Sequence, residues 1–172
     1  MIRLLMSFAC LTAFALPAAA EDCGNGMRSF TDDRNVAVCI PENPQRIVST
    51  ADESIFVPLY ELGVTPVGTT GSTLQDGTNF IRGGMNNVGI DFDTVDDLAF
   101  VGNWEGVDYE AVAALNPDLI IVAHWGGWFN GEVEKLEQIA PTISINFEER
   151  TGFATHDYLA DVTNTQAELA EV

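Results

Sequence analysis

The sequence predicts an α/β protein built as a three-layer, doubly wound, mostly parallel sheet. Short β-branched runs alternate with helical periodicity and are joined by few residues, which is the pattern of βαβ crossovers. Residues 118–123, Asp-Leu-Ile-Ile-Val-Ala, are an almost unbroken apolar run, as expected for a strand covered on both faces. The length of 172 residues suits one ordinary domain, and 47% hydrophobic residues with a mean hydropathy of +0.11 exceed what an acidic disordered chain carries.

Taken in order, residues 1–20 read as a secretory signal peptide. Arg3 precedes an apolar stretch over 4–16, and Pro17, Ala18, Ala19 and Ala20 supply the small residues before a cleavage expected after Ala20. The stretch is shorter than the roughly 18–20 apolar residues that span a bilayer. Cys10 leaves with the signal, so the exported chain keeps Cys23 and Cys39, and an oxidising compartment makes a disulfide their expected state. Residues 27–40 read as two short strands around a polar turn at 31–35, and Pro41 and Pro44 close this hairpin as a linker, so that 21–45 stands before the main body.

The α/β lobe is expected over 46–154. It opens with a strand at 47–49, then a helix over 52–62 with Pro58 as a kink or first-turn residue and Gly63 as its C-cap. A second strand is expected at 65–68. Residues 69–103, rich in Gly, Asn and Asp, read as long loops with at most one short strand near Val88. Asp108 N-caps a helix to Leu115, ended by Asn116-Pro117. The apolar strand at 118–123, a helix over 132–139 stopped before Pro141, and a strand at 142–147 follow, with further helix from about Thr155.

Charge and motif content exclude several function classes. With 26 acidic and 7 basic residues the net charge is −19, so no nucleic acid is expected as a partner, because phosphate neutralisation needs clustered Lys and Arg. The nucleophile-elbow, phosphate-loop, dinucleotide and paired-His motifs are absent, and the chain reads as a non-enzyme. The acidic stretch from Asp91 to Asp97 is expected as solvated surface, since calcium-loop spacing is missing. No metal site built from protein groups and no cofactor is expected.

Ligands of doubly wound sheets bind beyond the carboxyl ends of the strands, which selects the segments after Thr50, Gly68 and Ala123. The last reads His124-Trp125-Gly-Gly-Trp128-Phe-Asn, and Trp104 lies in a loop at the same expected end, so all three Trp residues gather there. Aromatic walls give small-molecule sites area and orientation, and Trp104, Trp125 and Trp128 with His124 are the candidate ligand contacts. Arg82, a rare cation, either pairs an anionic ligand through its planar fork or forms an ion pair with one of the many carboxylates.

Three ordered blocks carry a family resemblance: Asn43-Pro-Gln-Arg-Ile-Val-Ser, Glu61-Leu-Gly-Val-Thr-Pro-Val-Gly, and Asp108-Tyr-Glu-Ala-Val-Ala-Ala-Leu-Asn-Pro-Asp-Leu-Ile-Ile-Val. Over about 28–172 the chain resembles the periplasmic substrate-binding proteins of iron–siderophore and cobalamin ABC importers. The resemblance implies an exported, periplasmic, monomeric protein that captures a ferric siderophore and delivers it to a membrane permease, iron being present only within the chelate. It implies two lobes joined by a long helix, of which this chain resembles the N-terminal lobe, with 155–172 as the start of the interlobe helix and no second lobe. It also places Trp104 and, nearby, Trp125 in the ligand cleft, and Glu110 at the permease-docking position, while Arg82 matches no motif position. A cobalamin or other metal-chelate carrier, and a secreted interaction module without transport, are the alternatives.

Overall fold

The computed structural model describes residues 22–83, 90, 92–150 and 152–172. The expected signal peptide and its cleavage point, and the strand expected near Val88, lie outside the described residues. Two strands, β1 (Met27–Thr31) and β2 (Ala37–Pro41), form the antiparallel hairpin expected, and Cys23 and Cys39 are joined by a disulfide.

The main sheet is built on five parallel strands. In chain order these are β3 (Ile47–Ser49), β4 (Gly68–Thr73), β6 (Ala99–Asn103), β8 (Leu119–Trp125) and β10 (Thr142–Asn146), and in space they run β10-β8-β3-β4-β6. Three short strands fold back antiparallel at their carboxyl ends: β5 (Asn79–Phe80) on β4, β7 (Gly106–Val107) on β6 and β9 (Trp128–Phe129) on β8. The chain grows from β3 to one side through β4 and β6, then crosses back to grow the other way through β8 and β10. The direction reverses between β3 and β8, the topological switch point of a doubly wound sheet.

Strand alternation divides the core into two layers. Ile47, Leu119, Ile121, Ala123, Ile143 and Ile145 face α1 (Val57–Glu61), α4 (Phe153–Thr163) and the hairpin residues Phe30 and Ile40. Val48, Ile120 and Val122 point the other way, toward Val112 of α2 (Tyr109–Ala114) and Val133 and Leu136 of α3 (Val133–Leu136). The hairpin turn also covers the edge of β10: Asp32 accepts from Ser144 N–H at 3.0 Å, Asp33 from Asn146 N–H at 2.8 Å, and Arg34 donates to Thr142 C=O at 3.1 Å. An edge strand so covered no longer offers unpaired backbone groups to another chain.

Several elements differ from expectation between residues 52 and 164. The strand expected at 65–68 begins only at Gly68, and the region 69–103 expected as loops carries β4, β5 and β6. Gly68 therefore lies at the start of a strand and not before a binding loop. The helix expected over 52–62 is divided: residues 52–56 form a π-helical turn, and Pro58 falls in the first turn of α1, where its missing N–H costs little. Asp108 caps α2 as expected, its carboxylate accepting from Ala111 N–H at 3.0 Å. Regular helix after Glu132 stops at Leu136, short of the expected 139, and α4 ends at Asn164, a left-handed residue at φ 60°, before a 3-10 turn over Glu168–Glu171.

Candidate functional site

The carboxyl end of the sheet carries an aromatic face. Trp104 follows β6 in the tight β6–β7 turn, Trp125 ends β8, and Trp128 begins β9; they are 56%, 37% and 47% exposed. Gly126 at φ 56° lets the chain reverse between the last two, so that their rings meet at 5.4 Å. Trp125 also stacks on Phe147, 5.3 Å away, just beyond β10. The three Trp residues thus gather at one end of the sheet, as the sequence suggested.

Two openings flank this face. A crevice of about 460 Å³ lies beside the switch point, lined by Glu53, Trp125, Phe147, Arg150, Thr155 and His156 among others. His156 is tied to Glu61 at 2.8 Å through Nε2, and its buried Nδ1 has no hydrogen-bond partner among the described residues. A second cleft of about 320 Å³ runs between Trp104 and Trp128, with Tyr109 and Glu132 in its wall. Lys135 lies 5.1 Å above the Tyr109 ring and is bound to Glu132 at 2.6 Å.

The polar candidates are placed less simply. His124 is only 4% exposed: its position in the strand alternation turns it inward with Ile120 and Val122, stacked 4.7 Å from Phe129 and hydrogen-bonded through Nδ1 to Ser144. Burial holds its pKa below the ordinary value, an effect that Asp33 and Asp32 oppose without reversing. His124 supports the Trp turn from beneath and does not offer its ring to the face. Arg82 takes the ion-pair alternative: Nη2 and Nε donate to Asp52 at 2.7 and 3.0 Å, and its backbone N–H adds a third bond at 2.7 Å. Glu110 is exposed in the first turn of α2, and its charge there suits the helix dipole.

Two contributors were missed from sequence. Phe147 and Arg150 follow β10 at the same carboxyl edge, and the rule that selected the segment after Ala123 selects the one after residue 146 as well. Arg150 donates to both Asp33 oxygens at 2.7 Å and lies 4.3 Å above the Tyr158 ring. For Asp33, burial raises the pKa, but the hydrogen bonds from Arg150 and the Asn146 N–H outweigh it and hold the carboxyl below its ordinary value. Among the described residues no group of three His, Cys, Asp or Glu side chains is arranged to hold a metal ion. Nor, among them, is any helix long and apolar enough to cross a membrane.

No family model matches the chain. It is similar to the iron(3+)-hydroxamate-binding protein FhuD of Bacillus subtilis, 29% identical over 170 residues that cover 90% of this chain and 47% of that protein. It is also 29% identical to the ferric enterobactin-binding periplasmic protein FepB of Escherichia coli, across 89% of this chain and 47% of FepB. Among solved structures, a FhuD-fold protein of Bacillus subtilis, described as the periplasmic binding component of a Fep/Fec-like ferrichrome ABC transporter, superposes with a TM-score of 0.62 at 25% identity, over 83% of this chain and 45% of the other. The chain spans about half the length of the curated relatives it matches. These are named as binding proteins and not as enzymes. The chain is thus similar along most of its length to about half of two proteins named for binding iron(3+)-hydroxamate and ferric enterobactin, and it shares the mostly parallel α/β fold of such a binding protein.

Proposed function

We propose that the chain forms one wall of a ferric-siderophore site in an exported solute-binding protein, which delivers its ligand to the permease of an ABC importer. The observation that carries this reading is the exposed Trp104, Trp125 and Trp128 face at the carboxyl end of the sheet, beside the switch point where doubly wound folds hold ligands. Exposed Trp side chains of this size are costly without a ligand or a covering surface. In this reading residues 46–154 are the ligand-binding lobe, 155–172 lead toward a second lobe, and the signal is removed after Ala20 in reaching the periplasm. His124 and Arg82 serve the site by positioning, the first beneath the Trp turn and the second by fixing Asp52 at the start of the segment after β3. Glu110 meets the permease.

Titrating the full-length protein with ferric hydroxamate, ferric catecholate, ferric citrate and cobalamin, and following Trp fluorescence, tests the proposal. Saturable quenching by a ferric chelate is expected. Quenching by cobalamin alone replaces the siderophore with a corrinoid, and silence toward all four rejects carriage of these ligands in favour of an interaction module. For the docking role, Glu110→Arg is expected to abolish uptake while leaving chelate binding within about twofold of the parent, as befits an exposed charge far from buried contacts; unchanged uptake rejects that role.

A further inference from the structure

The hairpin that covers the edge of β10 leaves an edge of its own open. Glu42 N–H donates to Gly26 C=O and Asp32 N–H to Val36 C=O, each at 3.0 Å, and by the antiparallel register Arg28 and Phe30 are the other residues bonded to β2. Ser29 and Thr31 therefore turn their N–H and C=O groups away from β2, and among the described residues nothing pairs with those groups. They border a groove of about 440 Å³ whose other side is α4, with Asp157 and Asp161 one turn apart. Phe30 and Tyr158, both nearly buried and edge to face at 5.3 Å, line its base. The groove shares only Arg150 with the crevice beside Trp125.

The two cations of the groove are already engaged. Arg28 donates to the carbonyls of Asp161 and Val162 in the last turn of α4, where a cation suits the helix dipole, and Arg150 is held by Asp33 at 2.7 Å. Asp157 and Asp161 are exposed, and among the described residues neither forms an ion pair. Joining this edge to the same edge of a second copy would bring together two chains of net charge −19, which disfavours self-pairing. We infer that the β1 edge takes an extended, Lys- or Arg-bearing segment of a partner protein as a third strand of the hairpin sheet. Main-chain bonds to Ser29 and Thr31 hold the segment, and its side chains on one face reach Asp157 and Asp161. Main-chain pairing alone reads no sequence, so the two carboxylates set the preference for basic residues.

The test follows isotope-labelled full-length protein by NMR while peptides of about eight residues are added, a length typical of strands. The probes are an alternating Thr-Lys peptide, its Thr-Glu counterpart, and two Thr-Lys peptides N-methylated at every Thr or at every Lys. Saturable binding of the Thr-Lys peptide is expected, with the Ser29 and Thr31 amides shifted and slowed in hydrogen exchange. The Thr-Glu peptide is expected to bind at least about tenfold more weakly at low salt, and the gap to narrow with salt and in the Asp157→Asn, Asp161→Asn variant. One N-methylated peptide is expected to lose about tenfold and the other to bind nearly as before, because only alternate amides of an added strand face β1. No saturable binding, binding that leaves Ser29 and Thr31 unperturbed, or binding that both methylated peptides retain overturns the inference. Protection of Ser29 and Thr31 that grows with protein concentration in the absence of peptide overturns it in favour of a second copy.

Discussion

Arg82 shows how a side chain that looks like a ligand group from sequence acquires a structural task. Its partner Asp52 is fully buried, and an unpaired buried carboxylate is far costlier than an unpaired surface one. Arg82→Ala is therefore expected to lower stability by about 3 kcal/mol, read as a reduced urea midpoint, while Arg82→Lys retains part of it. An Arg82→Ala protein as stable as the parent would show that the pair contributes nothing. His124 adds a pH dependence of definite sign. Because burial keeps its folded pKa below the ordinary 6.5, the unfolded chain takes up the proton first as the medium acidifies. Stability is thus full above about pH 6.5 and falls as the pH drops from there toward the folded value. The urea midpoint is expected to decline as the pH falls below about 6.5, and His124→Gln to flatten that decline; equal slopes would contradict it. Asp33 acts in the lower range: its depressed pKa gives stability that is present above the ordinary 3.8 and lost as the pH falls through the folded value.

The first and third of the ordered blocks hold the starts of two strands together. Asp118 accepts the backbone N–H groups of Gln45 and Arg46 at 2.7 and 2.9 Å, and the Arg46 guanidinium returns to the Asn116 carbonyl at 3.1 Å. Asn-Pro-Gln-Arg and Asn-Pro-Asp-Leu thereby clamp the starts of β3 and β8 together, which is why their order and spacing identify the fold so readily. The strand β8 was legible because Leu119 to Ala123 are apolar on both faces and both faces are covered. The strand β4, Gly-Thr-Thr-Gly-Ser-Thr, was not, because backbone approach replaces side-chain packing in it. A Cβ on Gly68 would lie 2.6 Å from Leu115, and one on Gly71 2.7 Å from the Phe80 carbonyl. The aromatic face was legible through the carboxyl-end rule, whereas the inward turn of His124 depended on where the alternation of β8 ends. The turn that presents Trp104 depends on Gly102 at φ 116°, where a Cβ would meet the Gly106 carbonyl at 2.3 Å. Gly102→Ala is expected to cost about 2 kcal/mol and to blue-shift or broaden Trp104 emission as the β6–β7 turn is displaced; a crystal structure with an undisturbed turn would refute this.

Across the whole molecule, the hairpin, the sheet and its two helical layers form a platform whose carboxyl edge carries the aromatic face. The Cys23–Cys39 bridge closes a separation of 16 residues and ties the segment before β1 to β2. Its reduction is expected to lower stability by roughly 3 kcal/mol in the chain-entropy account, measured as a drop in the thermal midpoint on adding reductant. Because Phe30 and Ile40 of the hairpin are part of the core, loosening them loosens α4 behind the crevice as well. The measurement that tests the account most directly is calorimetric titration of the full-length protein and its Trp104→Leu, Trp125→Leu and Trp128→Leu variants with a ferric tris-hydroxamate, with far-UV circular dichroism confirming the fold. The account predicts saturable binding by the parent and a loss of about tenfold or more in affinity for at least two of the variants with the fold retained. Binding by the parent that all three variants preserve would contradict it, placing the ligand away from the aromatic edge.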